Sequence, residues 1–245
     1  MRNYGYRTTY INPKSPSIPR GTDVLLWIQP RRDHSRMTEL LIRHLSRGGK
    51  AIVPLQHYNI QQRQYRGGRF KMVYWPQPQY HDLDLFLEPL GTGQVKEVLM
   101  DKTRAYLDLD TQVHHKMTPQ FDSQRVALPF LIRTIRTNFS SASVITANLS
   151  NQLFIWGNRF LPDPDRLAEL GLRHQTLITT SDRAWRYIWR GGWLPQVLFE
   201  SRGFLSGRQP LAVLISGRFP PAKFVTDKEG KRKLKLKGSR ANSGL

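Results

Sequence analysis

Apolar positions in this chain follow two rhythms, and the clearest switch between them lies from Gly21 to Leu55. Val24-Leu25-Leu26-Trp27-Ile28 is a continuous apolar run closed by Gln29-Pro30. Met37, Leu40, Leu41, Ile42 and Leu45 then recur at helical spacing, with Arg43 and Arg47 left to face water and Gly48-Gly49 stopping the helix. Ala51-Ile52-Val53-Pro54-Leu55 resumes a short apolar run. Strand, helix, glycine stop and strand predict a βαβ unit, hence a parallel pair joined by a right-handed crossover. Neither run alternates with polar residues, so each strand is expected to be buried on both faces. The fold class that follows is α/β, a largely parallel central sheet with helices on both faces.

Weaker signals flank this unit. Tyr6 to Ile11 reads as a first strand, and His57 to Arg69, polar and closed by Gly67-Gly68, reads as a long loop or lid. Phe70 to Trp75 alternates as a strand does. Leu83 to Leu90 before Gly91 predicts a short helix with a glycine stop, capped by Asp82. Val95 to Met100 reads as a strand leading to Asp101, and a polar segment with His114-His115 and Pro119 follows. Val126 to Ile135 is a strand or an irregular core segment, since Pro129 interrupts it. Gln152 to Trp156 is a strand, and Pro162 to Leu170 is a helix with Asp163 or Asp165 as its cap. Gln175 to Ser181 is a strand ending in hydroxyls, Trp185 and Trp189 fall four apart as on a helix, and Pro210 to Pro220 is a buried strand. Two segments result: an α/β domain over residues 1–225 and a basic, flexible segment over residues 226–245.

Composition narrows the function classes. With 245 residues, 39% of them hydrophobic, the chain can bury a substantial core. It has no apolar run of the roughly 20 residues that span a bilayer. There are no cysteines, which excludes disulfides, thiolate catalysis and cysteine-held metals and suits an extracytoplasmic setting. The net charge of +20 implies either solvated basic faces or attraction to a polyanion: nucleic acid, an anionic membrane surface or an acidic partner. Lys231, Arg232, Lys233, Lys235 and Lys237 are the candidate polyanion contacts.

Known chemistries find little purchase. The glycine clusters form neither a dinucleotide-binding nor a P-loop pattern, and Gly48-Gly49 follows a helix instead of preceding one. His114 and His115, being adjacent, point different ways and have no third ligand at zinc-type spacing. No nucleophile elbow surrounds Ser181, and no paired carboxylates surround Asp182. The expectation is a non-enzyme with no cofactor. Arg63 to Arg66 and Trp185 to Arg190 interleave aromatic and basic residues, which is competent for nucleic acid but is also a common core pattern.

Several short segments, taken in order, resemble the auxiliary domain of gliding-motility-type ABC transport systems (the GldG-like proteins). They are Ile18-Pro19 before Asp23 to Pro30, Arg47-Gly48-Gly49-Lys50, Leu87 to Gly91, Val98 to Asp101, Val144 to Leu149, Thr176 to Trp185 and Leu211 to Pro220. The resemblance implies a flavodoxin-like or class I glutamine-amidotransferase-like α/β domain without catalytic residues. It also implies a position outside the cytoplasmic membrane, anchors beyond this chain, and ABC permease and ATPase subunits as partners. Its work would be substrate binding or scaffolding. A ligand is then expected beyond the carboxyl ends of the parallel strands, where Gln29, Arg31, Arg32, Gln56, His57, Ser181 and Asp182 are the candidates. The alternative is a nucleic-acid-binding module that uses the basic tail and the arginine-aromatic stretches.

Overall fold

The computed structural model describes residues 5–32, 34–67, 69–79, 82–114, 119–200 and 204–236. The βαβ unit is present: β1 (Val24–Leu26), α1 (Ser35–Ser46) and β2 (Lys50–Ile52). The two strands pair in parallel, Val24 opposite Lys50 and Leu26 opposite Ile52. Helix α1 buries Met37, Thr38, Leu41 and Ile42. Gly48, in the left-handed region at φ 86°, turns the chain out of the helix while Gly49 N donates to His44 O. Burial on both strand faces does not follow, however. Leu25 joins Leu41 and Ile42 in the core, whereas Val24, Leu26 and Ile52 remain exposed.

The expectation of a parallel central sheet, flavodoxin-like or amidotransferase-like, is overturned. Every other strand pairing among the described residues is antiparallel, and no sheet exceeds three strands. The segment read as a loop or lid is β3 (Tyr58–Gly67), zipped along its length to β4 (Arg69–Pro78). The polar stretch with His114 is β7 (Arg104–His114), paired to the long β8 (Pro119–Thr134) and through it to β9 (Gln152–Ile155). Register slips between Arg104 and Ala105, so Pro129 falls in the irregular part of the ladder, where its missing N–H is tolerated. Ladder bonds use backbone groups, and neighbouring segments can pair through a tight turn without a buried apolar face to announce them.

Six further strands assemble as two-stranded pairs. β5 (Thr92–Gln94) pairs with β10 (Phe160–Pro162), β6 (Val98–Asp101) with β12 (Ala184–Tyr187), and β11 (Leu172–Thr179) with β13 (Pro210–Gly217). The tryptophan pair expected on a helix therefore begins on a strand: Trp185 lies opposite Met100. Burial against β6 overrides the four-residue spacing. β13 is half-buried where a buried strand was expected, and residues 6–10 form no strand. The short helices match more closely. α2 (Leu83–Leu87) runs through a 3₁₀ turn into Gly91 at φ 73°, and α3 (Pro164–Glu169) is capped by Asp163, whose carboxylate accepts from the backbone N–H of Asp165 and Arg166. Asp82 stands at the start of α2 without capping it, and lies instead 3.5 Å from Arg232.

Two apolar clusters result. The first holds Leu25, Leu41, Ile42, Leu83, Phe86 and Leu167, with Leu234 and Leu236 from the last hairpin. That hairpin is β14 (Ala222–Thr226) with β15 (Arg232–Leu236). The second gathers Tyr58, Tyr74, Met100, Phe130 and Trp185, with Phe199 packed in tilted and edge-on contacts against Tyr74 and Phe130. The chain from Val53 to Tyr58 passes from one cluster to the other.

Candidate functional site

The parallel ladder continues past its regular part. Trp27 N donates to Ile52 O, and Gln29 N donates to Pro54 O at 3.0 Å. It ends at Gln29, whose φ of 50° places a side chain with a Cβ in the left-handed region. That conformation costs roughly 1–2 kcal/mol for a residue other than glycine, so contacts elsewhere must hold it. The holding contacts come from its own amide. Gln29 Nε2 donates to Gln56 Oε1 at 2.6 Å, and Gln29 Oε1 accepts from an Arg31 guanidinium N–H at 2.9 Å. The carboxyl ends of β1 and β2 are thus cross-linked by two amides headed by a cation.

Behind this link the chain turns inward. Gln56 is 5% exposed and His57 is buried beside it. His57 N donates to Asn158 Oδ1 at 2.8 Å, and Asn158 Nδ2 donates to the backbone oxygen of Glu97 at 3.0 Å. The His57 ring meets Tyr58 edge-on, its centroid 4.5 Å away. Glu97, itself buried, accepts from Arg159 Nε at 3.0 Å and lies 3.7 Å from the Arg186 guanidinium. A buried carboxylate held by two arginines is a stable arrangement only while both remain, because removal of either leaves charge in low dielectric. Among the buried atoms that make no hydrogen bond are Gln56 Nε2 and, on β5, Thr92 Oγ1 and Gln94 Oε1. Each such atom costs about 1–3 kcal/mol if nothing meets it.

The fold therefore unites Gln29, Arg31, Gln56 and His57 and leaves Arg32 exposed beside them. Ser181 belongs to another cluster. Its N–H and hydroxyl both donate to Asp101, at 2.7 and 2.6 Å, and Asp101 is fully buried. Asp182 is exposed beyond it. Sequence reasoning missed Asn158, Glu97, Arg159 and Gln94. They come from distant, featureless stretches: Asn158 meets His57, Glu97 meets Asn158 and Arg159, and Gln94 is placed on β5 opposite Phe160.

The profile of a family described as ABC-type uncharacterized transport system matches residues 1–243. The chain belongs to this family. No curated protein and no solved structure matches it. As an auxiliary component of an ABC-type transport system, the chain is expected to meet other parts of that system. Two segments that carry the family resemblance, Val98 to Asp101 and Thr176 to Trp185, are the ones joined through Asp101 and Ser181. Their contribution is to the fold.

Some of the features suggesting nucleic acid have other occupations in this transport-family chain. Trp185 Nε1 donates to Leu198 O, Trp189 Nε1 donates to Gly192 O, and Arg186 faces Glu97. The side chains of residues 62–72, which include Arg63 and Arg66, lie outside those described. In the last hairpin Lys231 pairs with Glu229, Lys233 with Asp227, and Arg232 with Asp82 while lying over the Phe224 ring. Lys235 is exposed opposite Lys223, and Lys237 lies outside the described residues. Among the described residues no group of three His, Asp or Glu could hold a metal ion. No helix among them is long and apolar enough to cross a membrane.

Proposed function

We propose that this chain is the non-enzymatic binding part of its ABC-type transport system, taking a small ligand at the carboxyl ends of β1 and β2. One observation carries the reading. The strained Gln29 and the buried Gln56 are locked amide to amide at a strand end, with a polar atom left unspent. Strained backbone and unsatisfied buried polar groups concentrate at ligand clamps, and parallel strands present their ligands at this end. The gliding-motility type and an extracytoplasmic position belong to the same proposal. Their support is the ordered resemblance from Ile18 to Pro220 and the absence of cysteine.

The test is reconstitution of the full chain with its permease and ATPase subunits in proteoliposomes. Gln56→Leu should leave co-purification with the permease intact while abolishing substrate-dependent stimulation of ATP hydrolysis. Stimulation equal to the parent's would refute a binding role for this site. Turnover of the bound ligand by the isolated chain would refute the non-enzymatic part.

A further inference from the structure

We infer that the ligand of this site presents a carboxylate to Gln56 Nε2, an inference that rests on the binding reading above. Arginine can donate hydrogen bonds and cannot accept them, so the atom of Gln29 that faces Arg31 must be its oxygen. That fixes the other end of the Gln29 amide as its nitrogen, which donates, so the Gln56 atom it reaches must be oxygen. Gln56 then turns its nitrogen to the far side, where no acceptor is present. Two amides and a guanidinium form a relay with a single polarity, and its unspent terminus is a donor.

Each donation strengthens the next donor in line, because an amide whose oxygen is pulled by a cation carries a more positive N–H. The terminus of such a relay prefers an anionic acceptor over a neutral one. The charges nearby agree. Arg31 heads the relay, Arg32 is exposed beside it, and Arg159 and Arg186 outnumber Glu97, the one carboxylate they hold. Gln56 is 95% buried by its 5% exposure, so a bare donor there calls for an acceptor brought from outside. Gln94 Oε1 lies on β5, whose partner Phe160 is two residues from the Asn158 that holds His57. As an orphan acceptor it suits a ligand that carries a donor beyond its carboxylate, as an amino acid or a peptide end does.

The experiment uses the full chain labelled with ¹⁵N and follows the side-chain NH₂ signals of Gln29 and Gln56. Sodium acetate is the probe, with sodium chloride at matched ionic strength and neutral acetamide as parallel arms. The expected result is a saturable downfield shift of the Gln56 NH₂ with acetate, and a smaller one of Gln29. Arg31→Leu, at an exposed position, should weaken that response about tenfold through loss of the charge at the head of the relay. Gln56→Met should abolish the Gln29 response. If that variant fails to fold, Arg31→Leu alone decides the matter, since an unchanged response there overturns the relay. Equal responses to acetate and acetamide would overturn the carboxylate assignment, and so would a non-saturable drift shared with chloride. Should transport depend on Gln56 while acetate leaves its amide unmoved, the carboxylate assignment fails and the binding role stands.

Discussion

Asp101→Ala is expected to be among the most damaging single changes in this protein, and its cost can be worked from three bonds. The carboxylate is fully buried and accepts from Thr103 N at 2.7 Å, Ser181 N at 2.7 Å and Ser181 Oγ at 2.6 Å. Hydrogen bonds to a charged group contribute about 1.5–3 kcal/mol each, so the three give a gross total of about 4.5–9 kcal/mol. Burial of the charge opposes this with a penalty of several kcal/mol. Truncation also strands two backbone N–H groups and a hydroxyl. The expected net cost is therefore about 3–5 kcal/mol. Ser181→Ala removes the hydroxyl bond to Asp101 and the acceptor that Arg183 N reaches at 3.1 Å, and should cost about 2 kcal/mol. The double variant should cost less than the sum by about 1–2 kcal/mol, since both changes break the same contact. Urea unfolding followed by tryptophan fluorescence reads this directly, because Trp185 sits one residue along the ladder from Ala184, the partner of Asp101. A cost below about 1 kcal/mol for Asp101→Ala, or strict additivity of the pair, would refute the buttress account of Ser181.

Other consequences follow from single positions. Gly91→Ala should destabilise by roughly 1–3 kcal/mol, since φ is 73° there and a Cβ would meet the Arg166 Cβ at 2.5 Å; thermal melting of the variant checks it. Tyr74 is buried, its hydroxyl makes no hydrogen bond, and burial raises its pKa. With the folded pKa above the unfolded one, stability is full below the unfolded value near 10 and declines as pH rises through the folded value. Tyr74→Phe should be neutral or stabilising by up to about 1 kcal/mol at pH 7 and should flatten this alkaline decline in urea titrations. Asp227 is held below the usual carboxylate range by the Lys233 ammonium and then by the backbone N–H groups of Lys231 and Glu229. Its contribution to the hairpin turn is present above the unfolded pKa and lost as pH falls through the depressed one. NMR titration of its carboxyl should therefore give a midpoint below 3.8, and an ordinary midpoint would contradict the turn geometry.

Sequence alone determined the local units whose signals are short-range. The β1–α1–β2 crossover, the glycine stops at Gly48 and Gly91 and an aspartate cap on α3, narrowed to Asp163 or Asp165, were all legible, because spacing, φ preference and capping chemistry act within a few residues. Gln29 and Gln56 were legible as a pair of strand ends for the same reason. Tertiary structure decided the rest. The polar runs 58–67 and 104–114 gain order from backbone pairing with their neighbours, which no apolar alternation foretells. Trp185 is on a strand because Met100 lies opposite it, and Ser181 serves a carboxylate eighty residues away. A single parallel pair did not extend into a parallel sheet, since the segments that follow pair antiparallel, β3–β4, β7–β8 and β14–β15 between chain neighbours at low loop cost and the others across long separations. The polarity of the Arg31–Gln29–Gln56 relay likewise exists only once Gln29 takes its left-handed turn and reaches across to the end of the next strand.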